Sequence, residues 1–393
     1  MATITKTISK NDNLSPDAET IQEAFDLCLD DGNDYDLQIL DTATYTEQAE
    51  LAARTSGGTV HLRSTVYSRN ARPIVTISGV DGNLLTLKAD HKVTGIHFVY
   101  DENVQGDAYR RCVYVPTGFA EYSEVYDCIF DMGGRYLWDA GPPSREFGHC
   151  GYFSEWEVDE VYVYNNVFRR CGYIGCRVDP ASGDTFKIYN NTFVKCQEGI
   201  TVETGNLANG SIYNNIFDMD PDFSPDCNNF YAIFVHDTNI DPDDFALLDY
   251  NLYYFRNSGL ALTTWVYWSR GGSDYKYERL ADLQAAHSVE ANGIEQQPMF
   301  CTYCADYHLK PSSPCIGAGT AAGAPSGDGD GETRPTPPAI GAYEGLCESA
   351  IGVQIDKKQN DTYWVRVSAV NTKQRTGESE VSGRVNLKYL RWL

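Results

Sequence analysis

The chain has 393 residues, with 55 acidic against 31 basic side chains and a net charge of −24. A field of that sign repels phosphate backbones and anionic headgroups, which argues against nucleic acid and membrane surfaces as partners. No window approaches about 18 consecutive apolar residues, and the opening MATITKTISKNDNLSPD lacks the apolar core of a secretory signal, so the expected site of synthesis and folding is a cytosol.

At Ser15-Pro16-Asp17-Ala18-Glu19 a hydroxyl cap, a proline at the first position and acids in the first turn predict a helix start. The helix continues through TIQEAFDLCLDDG with Ile21, Ala24, Phe25, Leu27 and Cys28 inward. It is expected to plug the first coil of the strand-rich region beyond it and cover an open end that would invite edge pairing. Residues 1–36 are thus read as an arm and capping helix. Short strands come next in DLQILDTATYTEQ, TVHLRSTVYS, PIVTISG, LLTLKAD and GIHFVYDE.

The middle of the chain repeats. YNNVF at Tyr164 to Phe168, YNNTF at Tyr189 to Phe193 and YNNIF at Tyr213 to Phe217 place Asn166, Asn191 and Asn215 about two dozen residues apart. Weaker copies flank them: YDCIF (Tyr126 to Phe130) upstream, with Cys128 in the marker slot, and YNLYYF (Tyr250 to Phe255) downstream, with Asn251. Their larger separations imply insertions at Gly133 to His149 and Asp218 to Tyr231. Strands of four to six residues with turns between them stack best as a right-handed parallel β-helix, three strands per coil and about 4.8 Å between coils. Equivalent residues then superpose, so Asn166, Asn191 and Asn215 form a ladder at one bend. Their amides hydrogen-bond along the stack, and asparagine tolerates the left-handed backbone of a sharp bend. The all-β helix is assigned to 37–270.

After about Gly271 the rhythm changes. A short helix is predicted at Glu278 to His287, and GTAAGAPSGDGDGETRPTPPAIGAYEG reads as an irregular wrap or linker within 271–346. Residues 347–393 alternate in strand fashion, Tyr363, Val365, Val367 and Ala369 against Trp364, Arg366 and Ser368, and form a small separate β element. Twelve cysteines are scattered without paired spacing and are expected mostly as buried thiols. Cys301 and Cys304 make the only C-x-x-C. A zinc site there would need His308, Cys315 or Cys347, whose spacing is too loose. The sequons at Asn190, Asn209 and Asn360 mean little without secretion.

The N-N-x-F coils resemble the pectate-lyase-like superfamily of right-handed parallel β-helices, as does the opening AETIQEAFDLCLDDGNDYDLQILDTATYTE. YERLADLQAA, QPMF, DYHLKPSSPCIGAG, DGDGETRP and AIGAYE are similar to the terminal module that closes many such helices in surface and phage proteins. Together these cover about residues 17 to 346. YWVRVSAVN and GESEVSG look like the last strands of a fibronectin type III domain. The resemblance implies the fold; relatives range from polysaccharide lyases, glycoside hydrolases and esterases to tailspikes and virion proteins without activity.

Aligning the coils on the strand after each turn gives GYFSE, GCRVD, GITVE, AIFVH and GLALT. Alternation sends Cys176, Val178, Ile200, Val202, Ile233 and Val235 into the bore, so Glu155, Asp179, Glu203, His236 and Thr263 form an outward column beside Phe153, Arg177, Thr201 and Phe234. Glu155, Asp179, Glu203 and His236 are the candidate catalytic residues. Carboxylates about 5 or about 10 Å apart would straddle retaining and inverting glycosidase spacings, and would raise one another's pKa. Phe153, Arg177 and Phe234 are candidate glycan contacts; the same acids could instead hold Ca²⁺, or stand as ordinary solvated strand ends. A lyase would want a basic residue, and Arg177 alone fits; serine hydrolase, zincin and nucleotide motifs are absent.

The leading expectation is a phage virion structural protein, a decoration, fibre or tailspike-like component assembled in the host cytoplasm. Its partners would be other virion proteins, further copies of itself as a homotrimer, or a polysaccharide, with no cofactor required. The competing expectations are a polysaccharide lyase or glycoside hydrolase, and a bacterial surface adhesin.

Overall fold

The computed structural model describes residues 2–66, 71–77, 82–100, 110–133, 150–203, 207–220, 230–236, 241–256, 263–270, 273–303, 305–345, 352–358 and 362–368. Three nine-stranded sheets wind around one bore as a right-handed parallel β-helix. Sheet A runs from Thr3–Ile8 to Leu247–Asp249, sheet B from Thr44–Thr46 to Ile294–Glu295, and sheet C from Ala49–Leu51 to Ser273–Tyr277. Every pairing within them is parallel except the last of sheet C, where Thr263–Arg270 turns back on Ser273–Tyr277. The two insertions inferred from the repeat spacing both fall between a sheet B strand and the next sheet C strand; 134–149 and 221–229 lie outside the described residues.

The Tyr-Asn-Asn segments lie in one vertical file, as the repeat requires. Asn166 Nδ2 donates to Asn191 Oδ1, Asn191 to Asn215 and Asn215 to Asn251, each at 3.1 Å. The same oxygens accept the backbone N–H of the preceding member, and each Nδ2 also reaches a backbone carbonyl one coil back. Cys128, in the first slot, has no amide to offer, and only its backbone N–H donates to Asn166 Oδ1, at 2.9 Å. At the far end Asn251 Nδ2 donates to Glu290 Oε1 at 2.6 Å, with the Tyr253 hydroxyl on the same oxygen. The ladder is therefore fully satisfied in a place that water does not reach, since Asn166, Asn191, Asn215 and Asn251 are 0% exposed.

The left-handed backbone belongs to the residue before each ladder member. Asp127, Asn165, Asn190, Asn214 and Tyr250 have φ between 52° and 60°. The two asparagines of each pair thus divide the work, the first making the bend and the second the ladder. Freed to point outward, the first asparagines grip the returning chain: Asn165 donates to Gly327 O, Asn190 to Ala339 O and Gly341 O, and Asn214 to Thr320 O. Ala339, Ile340, Ala342 and Tyr343, with Phe300, Tyr307 and Leu309, pack against Val167, Val194, Ile216 and Leu252 on the outside of sheet B. At Gly341 (φ 101°) a Cβ would lie 2.5 Å from Ile216 Cδ1, so only glycine lets the wrap approach this closely.

Inside the bore Phe98, Phe130, Phe168, Phe193, Phe217 and Tyr253 stack with centroids 4.6 to 5.4 Å apart. That stack explains the glycine at the second position of three sheet C strands. A Cβ on Gly151, Gly175 or Gly199 would come within 2.8 Å of Phe168, Phe193 or Phe217 respectively.

Three expectations are corrected. The first helix, α1, is Ile21–Asp26 with Thr20 as its cap and a Thr20/Glu23 capping box, five residues beyond the Ser15 start. Ser15 instead ends a 3₁₀ turn, and Asp17 is drawn away to the Thr7 N–H at 2.8 Å. Ile21, Ala24 and Phe25 are buried and Cys28 packs against the core, while Leu27 is 36% exposed. Second, the arm is itself the outermost strand of sheet A, Thr3–Ile8, in register with Asp34–Ile39. Third, Thr263 does not follow His236: the register sets Thr263 opposite Phe230 and Ser269 opposite His236. Ser269, six residues beyond Thr263, takes the place that the alignment on GLALT gives to Thr263. The second helix, α2, spans Leu280–Ala286, and beyond the wrap Gly352–Lys358 pairs antiparallel with Thr362–Ser368.

Asn191→Ala strips partners from Asn166 N–H and Val163 O in a dry site, so urea unfolding should show a loss of about 2–5 kcal/mol. A loss under about 1 kcal/mol would mean that the ladder is ornamental. Burial pushes Glu290 from 4.5 up to about 7, against the pull of Tyr253 and Asn251. The fold prefers its neutral form, so its contribution is whole below about pH 4.5 and is lost as pH rises through about 7. Melting temperatures should fall between about pH 5 and pH 8, and Glu290→Gln should flatten that slope.

Candidate functional site

The outer face of sheet C carries two files two residues apart along each strand. Strand register aligns Tyr114, Phe153, Arg177, Thr201, Phe234 and Tyr267 in the first. In the second, Glu155 and Asp179 follow the paired Ser154 and Val178, and Glu203 stands opposite His236. The side chains point away from the bore, as alternation demands. They are nevertheless largely withdrawn from water: Phe153 is 2%, Phe234 0%, Arg177 7% and Asp179 3% exposed. Only at His236 does the column open, its side chain being 49% exposed.

Charge neutralisation accounts for the middle of the face. Arg177 reaches two residues along its own strand to Asp179 with a two-pronged contact, Nε to Oδ1 and Nη2 to Oδ2, both 3.0 Å. Its Nη1 lies 3.8 Å from Glu203 Oε1 in the next coil, and the other oxygen of Glu203 meets His236 Nδ1 at 2.7 Å. The cation between Asp179 and Glu203 is thus a guanidinium. Among the described residues no group of three or more carboxylate, histidine or cysteine side chains is spaced to hold a metal ion. Burial, helped by Glu203 and Glu155 and opposed by Arg177, pushes the Asp179 carboxyl up to about 6. Arg177 itself is held above its usual range by Asp179, against its own burial.

Aromatic groups flank this centre. On one side Cys150, Phe153 and Ile174 pack with Tyr114 and Tyr173; on the other Tyr231, Phe234 and Tyr267 pack together. The Phe153 ring lies between Arg111 and Arg177, whose guanidinium carbons are 4.5 and 4.6 Å from its centroid. Glu155 turns to the preceding coil, accepting from Thr117 N and Oγ1 at 3.3 and 3.2 Å. Burial and the bond to Glu155 push the Tyr114 hydroxyl up to about 12.

Sequence reasoning did not single out Tyr114, Arg111, Glu198, Trp156 or Asp184. The first two sit on RRCVYV, which lacks the glycine that marked the other strands. Glu198 accepts from Thr201 Oγ1 at 2.6 Å within its strand. At the C-x-x-C, Cys301 is disulfide-bonded and Cys304 lies outside the described residues. His308 is turned to Asp306 and Asp330, at 2.6 and 2.9 Å. Seven of the eight free cysteines among the described residues are buried. Comparison with protein-family models and with curated proteins gives no match to this chain.

Arg177→Ala leaves two carboxylates facing each other in a largely dry site and should lower stability by about 3–5 kcal/mol. His236→Ala, at the open end, should cost about 1 kcal/mol or less. Equal losses in chemical denaturation would show that the face is not organised around Arg177.

Proposed function

We propose that the protein is a structural component of a bacteriophage particle, a β-helical rod whose faces meet neighbouring subunits or a host glycan. One observation carries the structural part of this reading. Asp179 and Glu203, the central candidate acids, are both engaged by Arg177, and Glu203 by His236 as well. A general acid and base need a proton acceptor and donor open to substrate, whereas these side chains stitch one coil to the next. Support for the particle comes from the likeness of the 277–344 segment to closing modules of phage and surface β-helix proteins. The adhesin reading shares that likeness.

A depolymerase is the second reading, favoured by the raised Asp179 carboxyl beside Glu155 in one cleft. The two separate cleanly. Incubated with a panel of capsular and cell-wall polysaccharides, the protein should release neither new reducing ends nor unsaturated uronates, and it should be recovered by mass spectrometry from purified particles. Cleavage that Asp179→Asn or Glu155→Gln abolishes would replace the structural reading with the enzymatic one.

A further inference from the structure

Two successive turns from sheet B to sheet C carry a cysteine at the same place. Register pairs Val167, Phe168 and Arg169 with Thr192, Phe193 and Val194. The alignment holds for two residues beyond the strands. Arg170 and Lys195 are both left-handed, with φ 54° and 56°, and the Gln197 N–H donates to Cys171 O at 3.2 Å, which sets Cys196 opposite Cys171. Both are free thiols, 0% exposed, at the edge of the bore. Cys196 Sγ is turned to the earlier coil, 3.6 Å from Phe168 O, and Cys171 Sγ lies 3.7 Å from Arg169 O. The other sheet cysteines have no such counterpart: Cys150 stands opposite Arg111 and Ile174, and Cys176 opposite Tyr152 and Ile200.

We propose that Cys171 and Cys196 are a latent cross-coil disulfide, left as two thiols when the chain folds in a reducing medium and closed when it folds in an oxidising one. Opposed residues of parallel neighbours stand about 4.8 Å apart, inside the roughly 4.4–6.8 Å between Cα atoms that a disulfide spans. The oxidant is a small-molecule disulfide. One cysteine thiolate attacks it, forming a mixed disulfide and releasing the first small thiol; the second cysteine thiolate attacks the protein sulfur of that mixed disulfide and releases the other. Two protein thiols are oxidised, one small disulfide is reduced to two thiols, and the protons lost by the cysteines end on the thiols released. Burial sets the timing. In the finished helix neither sulfur meets solvent, and burial together with the adjoining Cys196 thiol holds the Cys171 thiol well above its usual range, so exchange belongs to the folding chain, before the bore closes. A bridge at Cys301 is already part of the folded chain. The new one would close a single coil on itself, the coil that carries Arg177 and Asp179. It does not depend on the particle reading; its redox state would record the medium in which the chain folded.

The test expresses the whole chain in bacterial hosts with a reducing and with an oxidising cytosol, blocks free thiols with N-ethylmaleimide in denaturant, and maps bridges by mass spectrometry of digests. Soluble protein from the oxidising host should yield the Cys171 and Cys196 peptides joined, and protein from the reducing host should yield both blocked. The bridged chain should melt about 3 °C or more above the unbridged one, a gain that Cys171→Ser and Cys196→Ser each remove. Where a serine variant fails to fold, the joined peptides of the unaltered chain decide alone. Both thiols blocked in soluble protein from the oxidising host, bridges spread evenly over Cys112, Cys150 and Cys176, or a bridged chain that melts no higher would each overturn the proposal.

Discussion

The amide ladder is the constraint on which the remaining architecture rests. A parallel coil can slip by one residue at little cost in backbone hydrogen bonds, and such a slip turns its inward side chains outward. A buried amide cannot slip: Asn191 Oδ1 accepts from the coil before it, and its Nδ2 must find both Asn215 Oδ1 and Val163 O. With register fixed at that bend, the phenylalanines two residues further on superpose and stack, and the sheet C glycines make room for them. The ladder is directional, since every Nδ2 donates toward the C-terminal end. It ends at Glu290, whose carboxyl oxygens accept from the Asn251 backbone N–H, Asn251 Nδ2 and the Tyr253 hydroxyl.

Fixing the bend also determines where the wrap lies. The first asparagine of each pair is left-handed because the chain must turn there, and its side chain leaves the stack for the outside. The 318–344 segment then has a row of amides at one-coil spacing to dock on. Arg334 reinforces it by donating to Asn165 Oδ1 at 2.7 Å and pairing with Glu344. Arg72 bonds Gly329 O at 2.6 Å, tying an early coil to the same segment. One dipeptide, repeated, therefore sets register within the helix and anchors its covering.

The legible part of the sequence was the part that repeats. Asn166, Asn191 and Asn215 recur with their tyrosines and phenylalanines, so both the fold and the ladder could be read. The capping helix was legible as a helix, but its start was hidden: Ser15-Pro16 and Thr20-Ile-Gln-Glu23 are competing signals, and Asp17, taken by Thr7 in the adjoining strand, settled the choice through a tertiary contact. Thr263 was misplaced because alignment on GLALT assumes the spacing of the regular coils from the ladder asparagine, and the register runs six residues further, to Ser269. The outward column was legible in order but not in environment. Nothing in the strings GYFSE or GCRVD says that Phe153 and Arg177 are buried, because burial on the outer face depends on parts of the chain far away in sequence.

Stacking has a price for function. On a β-helix each outward side chain meets its counterparts in the coils above and below at strand spacing, so charges there tend to neutralise one another and rings to cover one another. Arg177 between Asp179 and Glu203, and the Tyr126, Tyr164, Tyr189 and Tyr213 rings stacked 4.8 to 5.0 Å apart, show both outcomes. Such ladders stiffen a rod but leave few groups for a ligand. Turns escape this rule, because their lengths differ from coil to coil and adjacent side chains need not coincide. Phe119 and Trp156 keep their exposure at such turns, whereas Phe153 and Phe234 on the adjoining face of sheet C are covered.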